Sequence, residues 1–402
     1  MTKAKKIAVI LLSVATVIVI ACGIVFYQVP FDYDLSSISP LPNDVQLLAA
    51  DHPLNNSGSP ALAKIKNGAI SNEPFRILFL TDVHLCELQS STRETIERFV
   101  KWVYSEKPDL IILGGDTLNG LNDSVRVLQF RYLMDRLGVY WAPVLGNHEG
   151  DRDFLMTSRE DVVKCWSKSP RCLMESDTKK TADGRTVDGY GNYVLSVLGA
   201  DGLITDSFFF LDNGSKLMEE KEYKKWGVSK KADTAISQAQ VDWYQETYAA
   251  MKEKNGGTLT HMCVIHKPLQ ELAAAIEITG EIDYGKEVTW HFTDQATADG
   301  WTLIDGTLRD KIHCPPYQDG ALYSALVTNG AKAMFFGHDH VNDLTVYNTH
   351  DDIYLTYIRL TTVTERVADA EGYNILSLYP NGSYDYRAYK TSGALDAILF
   401  TD

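Results

Sequence analysis

The sequence predicts an α/β (α+β) fold with a two-layered β core flanked by helices. Three observations predict it. Through residues 75–145, short apolar runs alternate with amphipathic stretches at helical period. The run Leu110-Ile111-Ile112-Leu113 is apolar on both faces, as a strand of a buried parallel sheet is. The tail alternates in Tyr354–Ile358, Ile375–Leu378 and Tyr384–Tyr389, the pattern of a second, antiparallel-rich sheet packed on the first.

The N-terminal residues stand apart from this pattern. Lys3, Lys5 and Lys6 precede an uncharged, mostly apolar stretch from Ile7 to Tyr27. At about 1.5 Å per residue, ~20 residues span a hydrocarbon core of ~30 Å. Residues 1–28 therefore read as an N-terminal transmembrane helix, a retained signal anchor. A cleaved signal peptide also fits, as does a lipoprotein whose lipobox is Val19-Ile20-Ala21-Cys22. Each reading leaves the lysines inside and the rest outside the cytoplasm. The expected location is the cell membrane, or the exterior if the signal is cleaved. Residues 29–60 hold Pro30, Pro40, Pro42, Pro53 and Pro60 and read as an extended tether. Residues 61–402 are expected to form one domain.

Within that domain, Ile77–Leu80 is a strand ending in Thr81-Asp82. Ile96, Phe99, Val100 and Val103 share one face of a helix, which Pro108 ends. Leu110–Leu113 leads into Gly114-Gly115-Asp116. A second helix is predicted over Ser124–Leu137, and Val139–Leu145 runs into Gly146-Asn147-His148-Glu149. After an irregular, partly basic stretch, Asn192–Leu198 and Phe208–Leu211 read as strands. Ser237-x-x-Gln240 is a capping box opening a helix with Val241, Tyr244, Tyr248 and Met251 on one face. Met262–Ile265 ends at His266, and Ala333–Phe336 ends at Gly337-His338-Asp339-His340. Between these two strands lies an insertion, 277–318, either a pocket roof or a packed surface excursion.

Composition narrows the function classes. A chain of 402 residues with 45% hydrophobic residues can bury a sizeable core. A formal charge of −15 repels a nucleic-acid backbone, so no nucleic-acid partner is expected. The oligomeric state is not legible. Six cysteines include no Cys-x-x-Cys pair. Cys165 and Cys172 read equally well as a disulfide or as two free thiols, and Cys86 and Cys263 read as buried thiols.

The motifs carry more. Asp82-x-His84, Gly115-Asp116, Gly146-Asn147-His148-Glu149, His266 and Gly337-His338-Asp339-His340 each follow an apolar run. Ligands of open α/β sheets bind beyond the carboxyl ends of the strands, and one parallel sheet would gather these motifs there. Asp, His and Asn together suit manganese, iron or zinc. Asp116, after two glycines, is the candidate bridge between two cations. Each motif also has a plain reading: Asp-x-His as a turn cap, Gly-His-Asp-His as a polar loop, His266 as a histidine closing a strand before Pro268. His261 reads as a bystander, and the basic loop Lys168–Arg185 as solvated.

The ordered set of motifs resembles the calcineurin-like metallophosphoesterase superfamily, from about Phe75 to Thr361. Trp141–His148, Gly189-Tyr190-Gly191-Asn192-Tyr193, and Phe210-Leu211-Asp212 are similar to the purple-acid-phosphatase-related phosphatases, as is Gly337–Asp343. The resemblance implies a four-layer sandwich of two mixed sheets and a dinuclear centre of Mn, Fe or Zn. It places Asp82, His84 and His340 on the first metal, with Asn147, His266 and His338 on the second and Asp116 between. His148 would be the general acid. Glu149 and Asp339 would orient neighbouring histidines, and Asn119 would order the loop after the bridge. Purple acid phosphatases carry a tyrosine where this chain has Asn119, so a colourless enzyme is expected. The implied reaction is attack by a bridging hydroxide on a small phosphoester, preferably a monoester. A phosphodiesterase acting on a cyclic nucleotide or lipid headgroup, and a non-catalytic metal-binding scaffold, are the alternatives.

Overall fold

In the computed structural model, two β-sheets face each other across one apolar core. Residues 33–85, 90–119, 123–149, 157–214, 235–315, 321–364, 367 and 369–401 are described. The expected membrane segment 1–28, its Cys22, and Cys86 lie outside them. Among the described residues no helix is long and apolar enough to cross a membrane.

Strands are numbered along the chain: β1 (Val45–Leu48), β2 (Ala61–Lys66), β3 (Ala69–Ile70), β4 (Phe75–Leu80), β5 (Leu110–Leu113) and β6 (Tyr140–Pro143). There follow β7 (Tyr193–Leu198), β8 (Ile204–Phe210), β9 (Thr260–Val264), β10 (Ile276–Ile278), β11 (Trp290–Phe292) and β12 (Trp301–Asp305). The last are β13 (Ala333–Phe336), β14 (Thr345–Asn348), β15 (Ile353–Tyr357), β16 (Gly372–Leu378), β17 (Tyr384–Lys390) and β18 (Leu395–Thr401). One sheet has the order β18-β17-β16-β4-β5-β6; the other runs β1-β2-β7-β8-β9-β13-β15-β14-β12, with β3 beside β2. In the first, β4, β5 and β6 are parallel and β16 joins β4 antiparallel. In the second, β8, β9, β13 and β15 are parallel. Both sheets are therefore mixed.

Side-chain alternation builds the layers. Phe335 of β13 points into the shared core, where its ring lies 4.5 Å from that of Phe79 on β4. Its neighbours Met334 and Phe336 point the other way, into the apolar cluster that also holds Leu272, Leu326 and Tyr244 from helices outside the second sheet. Those helices are Gln270–Ala275, Leu322–Asn329 and Gln238–Lys254. The last opens with the predicted Ser237/Gln240 capping box. Outside the first sheet, helices Ser90–Glu106 and Asp123–Leu137 contribute Ile96, Phe99, Val103 and Phe130 to the core.

Three expectations need correction. The motif-bearing strands do not share one parallel sheet: β4, β5 and β6 belong to one sheet, β9 and β13 to the other. The tail likewise divides, β15 joining the second sheet and β16 and β17 the first. A strand's own period shows which face is apolar, not which neighbour it bonds. Residues 33–60, expected within an extended tether, pack on the domain. Ile38 and Val45 are buried in the core, β1 pairs with β2, and Arg136 holds the Ser36 and Ile38 carbonyl oxygens. The 277–318 insertion, left open between two readings, is in its described part largely an edge excursion: β10 and β11 pair with each other, and β12 extends the second sheet beside β14. Cys165, Cys172 and Cys263 are free thiols.

Candidate metal centre

Five strands from two sheets end at one place. The backbone continues the first sheet's pairing past its strands: Asp82 N donates to Gly115 O at 3.0 Å and His84 N to Asp116 O at 3.0 Å. Gly337 N donates to His266 O at 3.0 Å, joining the ends of β9 and β13. The sheets meet where His338 N donates to Asp82 Oδ2 at 3.0 Å. Asp82, His84, Asp116 and His338 all have positive φ, 51°, 52°, 48° and 76°. Non-glycine residues avoid that region, and such strain gathers at functional sites when surrounding structure enforces it. Here it turns each side chain off its strand toward a common centre.

Glycines make the approach feasible. A Cβ on Gly146 would stand 2.1 Å from Asp116 Oδ1, and one on Gly337 2.1 Å from Thr81 Oγ1 and 2.5 Å from Asp82 Oδ2. A Cβ on Gly115 would meet His266 Nδ1 at 2.3 Å. The sequence signal Gly-Asp, Gly-Asn-His and Gly-His thus has a steric cause.

Two donor groups result. Asp82, His84, Asp116 and His340 form one; Asp116, His266 and His338 form the other, with candidate ligand atoms in each lying within 4.8 Å of one another. Asp116 belongs to both. Its Oδ2 lies 3.7 Å from His84 Nε2 and 3.2 Å from His266 Nε2. Asp82 Oδ1 lies 3.3 Å from His340 Nε2, and Asn147 Oδ1 3.2 Å from His266 Nε2. His148 is in neither group. Its Nε2 is 3.8 Å from Asp116 Oδ2 and its side chain is 26% exposed, at the mouth of the site.

The electrostatics suit cations. Burial pushes the Asp82 and Asp116 carboxyls up, but the surrounding imidazoles outweigh it and hold both well below the usual range. Burial, then His266, lowers His338 to about 3, keeping its ring neutral. For His266, burial is opposed by Asp116, and the net shift is upward. Asp82 Oδ1, His84 Nε2 and Asp116 Oδ2 are buried without a hydrogen-bond partner. Orphaned buried polar atoms are costly, and a bound cation would satisfy them. The residues therefore fit a pair of metal ions.

Surrounding groups differ partly from expectation. Glu149, expected to orient a histidine, instead accepts from the backbone N–H groups of Asp116 at 3.0 Å, Leu118 at 2.9 Å and Gly146 at 2.6 Å. Burial and Asp116 raise its pKa to about 7. Asp339 accepts from His313 Nδ1 at 2.8 Å and from the Tyr357 hydroxyl at 2.5 Å. His313 comes from the insertion, whose Thr307, Arg309 and Asp310 backbone N–H groups bind Asp343 and Asn342. The insertion thus braces the loop after β13. Arg159 had no sequence signal. Buried, it donates to the carbonyls of Gly146 at 2.6 Å and Glu149 at 2.8 Å, and pairs with Asp212. His261 is a bystander, its Nε2 2.7 Å from the Tyr244 hydroxyl. Arg171 stacks on Tyr140 and Arg185 pairs with Asp183 and Asp242.

Residues 75–342 match the family described as calcineurin-like phosphoesterase. Two proteins of Arabidopsis thaliana are similar: probable inactive purple acid phosphatase 14, 28% identical over 60% of this chain, and probable inactive purple acid phosphatase 28, 25% identical over 67%. The alignments span 56% and 66% of those relatives' lengths. Among solved structures, a dimetal phosphatase from Danio rerio aligns with 82% of this chain and 98% of its own, at 14% identity and a TM-score of 0.49.

Proposed function

Given that the chain belongs to the calcineurin-like phosphoesterases, we propose that it is a metal-dependent hydrolase of small phosphoesters, monoesters foremost. The observation that carries this reading is Asp116, shared by two donor groups, with His148 beside it and outside both. Asp82, His84 and His340 would hold one ion, Asn147, His266 and His338 the other, with Asp116 common to both. When bound, two cations supply Lewis acidity: they polarise the phosphoryl group and bring a water's pKa toward neutrality. The chain's residues do the rest. The donor groups fix where the phosphoryl group sits. His148, at the mouth, donates a proton to the departing oxygen, a contribution typically of ~10²–10⁴-fold. Asn119 replaces the tyrosine that colours purple acid phosphatases, so the protein is expected to be colourless. Manganese, iron and zinc all suit the donor set.

A second reading has its own support: the Arabidopsis thaliana relatives are named inactive. A scaffold that binds metal without turnover is that alternative. The complete donor set and His148 favour the hydrolase. The test is elemental analysis of the purified chain with turnover of p-nitrophenyl phosphate and bis-p-nitrophenyl phosphate. Two metals and faster monoester cleavage support the proposal. A strong diester preference moves the reading to a phosphodiesterase, and bound metal without turnover of either ester moves it to the scaffold. The apolar run Ile7–Tyr27 further supports a membrane-held, extracytoplasmic enzyme.

A further inference from the structure

Histidine binds a metal through a ring nitrogen that carries no proton, so whatever the other nitrogen contacts decides whether the ring is ready. His266 has this settled by backbone: Nδ1 lies 2.8 Å from the Gly114 carbonyl oxygen, which can only accept. The proton is held on Nδ1, so Nε2, 3.2 Å from both Asp116 Oδ2 and Asn147 Oδ1, is the nitrogen that would face a cation.

His84 is arranged differently. Its Nδ1 faces the side-chain amide of Asn119, with Nδ2 at 3.0 Å. Its Nε2 is buried, unpartnered, and 3.7 Å from both Asp82 Oδ1 and Asp116 Oδ2. With the amide NH₂ toward Nδ1, the ring must accept there and carry its proton on Nε2. That N–H would point at the two carboxylates. With the amide turned half a revolution, Oδ1 accepts the Nδ1 proton and Nε2 is free to ligate. An amide can offer either face, and its two orientations differ only in exchange of O for NH₂.

We propose that Asn119 is the positioning residue for His84: its amide oxygen turned toward Nδ1 leaves Nε2 free to ligate, and its NH₂ turned there does not. This rests on the reading of Asp82, His84, Asp116 and His340 as a metal group. The consequence is specific. A carboxylate at 119 can only accept, so it favours the ligating tautomer alone. An aliphatic side chain favours neither. The partner of His266 is a backbone carbonyl and fixed, whereas the partner of His84 is a side-chain amide that can turn, so this metal position is the tunable one.

The test measures affinity of the metal-stripped chain for Mn²⁺ and for Zn²⁺ by competition with a chelating indicator. It uses wild type, Asn119→Asp and Asn119→Leu, with thermal melting of each stripped protein as a folding check. The expected order of affinity is Asp, then Asn, then Leu, spanning about 10- to 100-fold at one of two sites. The other site should be unchanged. Asn119→Asp is nearly isosteric, so it keeps the test alive if Asn119→Leu does not fold. Equal affinities for wild type and Asn119→Asp, or weaker binding by Asn119→Asp, overturn the proposal. A wild type that binds one ion, with affinity that responds to 119 as above, keeps this inference while removing the two-metal reading. A wild type that binds none removes both.

Discussion

Nδ1 of His266 lies 2.8 Å from the carbonyl oxygen of Gly114. The two residues lie just past the ends of strands in different sheets, β9 and β5. One hydrogen bond therefore fixes an imidazole tautomer and pins the two halves of the sandwich together at the centre of the site.

That contact makes Gly115 sensitive. Its φ is +100°, and an added Cβ would lie 2.3 Å from His266 Nδ1 and 2.9 Å from Gly146 Cα. Gly115→Ala should cost about 3 kcal/mol or more in urea unfolding and reduce metal uptake. Gly330→Ala is the control: its φ is +71° with nothing within 4 Å, so only about 1 kcal/mol of backbone strain is expected. Equal losses at both positions would refute the steric argument.

Ligand and acid roles separate by substitution. Asp116→Asn should remove metal and turnover together, because Asp116 belongs to both donor groups. His148→Asn should retain metal by elemental analysis while turnover falls by ~10²–10⁴-fold. An emptied site in His148→Asn would overturn the division.

Arg159 should matter without touching the centre. It is 6% exposed and neutralises Asp212, which is 2% exposed, while holding the Gly146 and Glu149 carbonyls. Arg159→Met leaves a buried, unpaired carboxylate, at about 3–5 kcal/mol in denaturant unfolding. Arg159→Lys should rescue little, since a single ammonium cannot span these acceptors. The loop carrying Asn147 loses its clamp, so metal affinity should fall too.

A pH dependence follows from His261. Burial lowers its pKa to about 4, against an ordinary 6.5. The folded state disfavours the protonated ring, so its contribution is complete above pH 6.5 and lost as pH falls toward 4. Between pH 7 and 5 the loss should be about 2 kcal/mol. His261→Gln should flatten this slope in unfolding measured across that window; an unchanged slope would assign it elsewhere.

Much of the centre was readable because its chemistry is local. Each motif pairs a strand with the residues just past its end, and glycines mark where another chain segment comes close. Glu149 and Arg159 were less readable for the opposite reason. Glu149 serves backbone N–H groups, which every residue has, and Arg159 reaches carbonyls, which leave no trace in side-chain identity. His313 belongs to the 277–318 insertion, and only folding lays it against Asp339.

The sequence by itself determined the strand ends, the donor types and the glycines, because periodicity and steric need are written residue by residue. The tertiary structure alone decided that two sheets, not one, bring the donors together. It also decided that residues 33–60 join the domain and that β15 leaves β16 and β17 for the facing sheet. Strand pairing depends on contacts between segments hundreds of residues apart, and an apolar run is equally suited to several neighbours until the whole core closes.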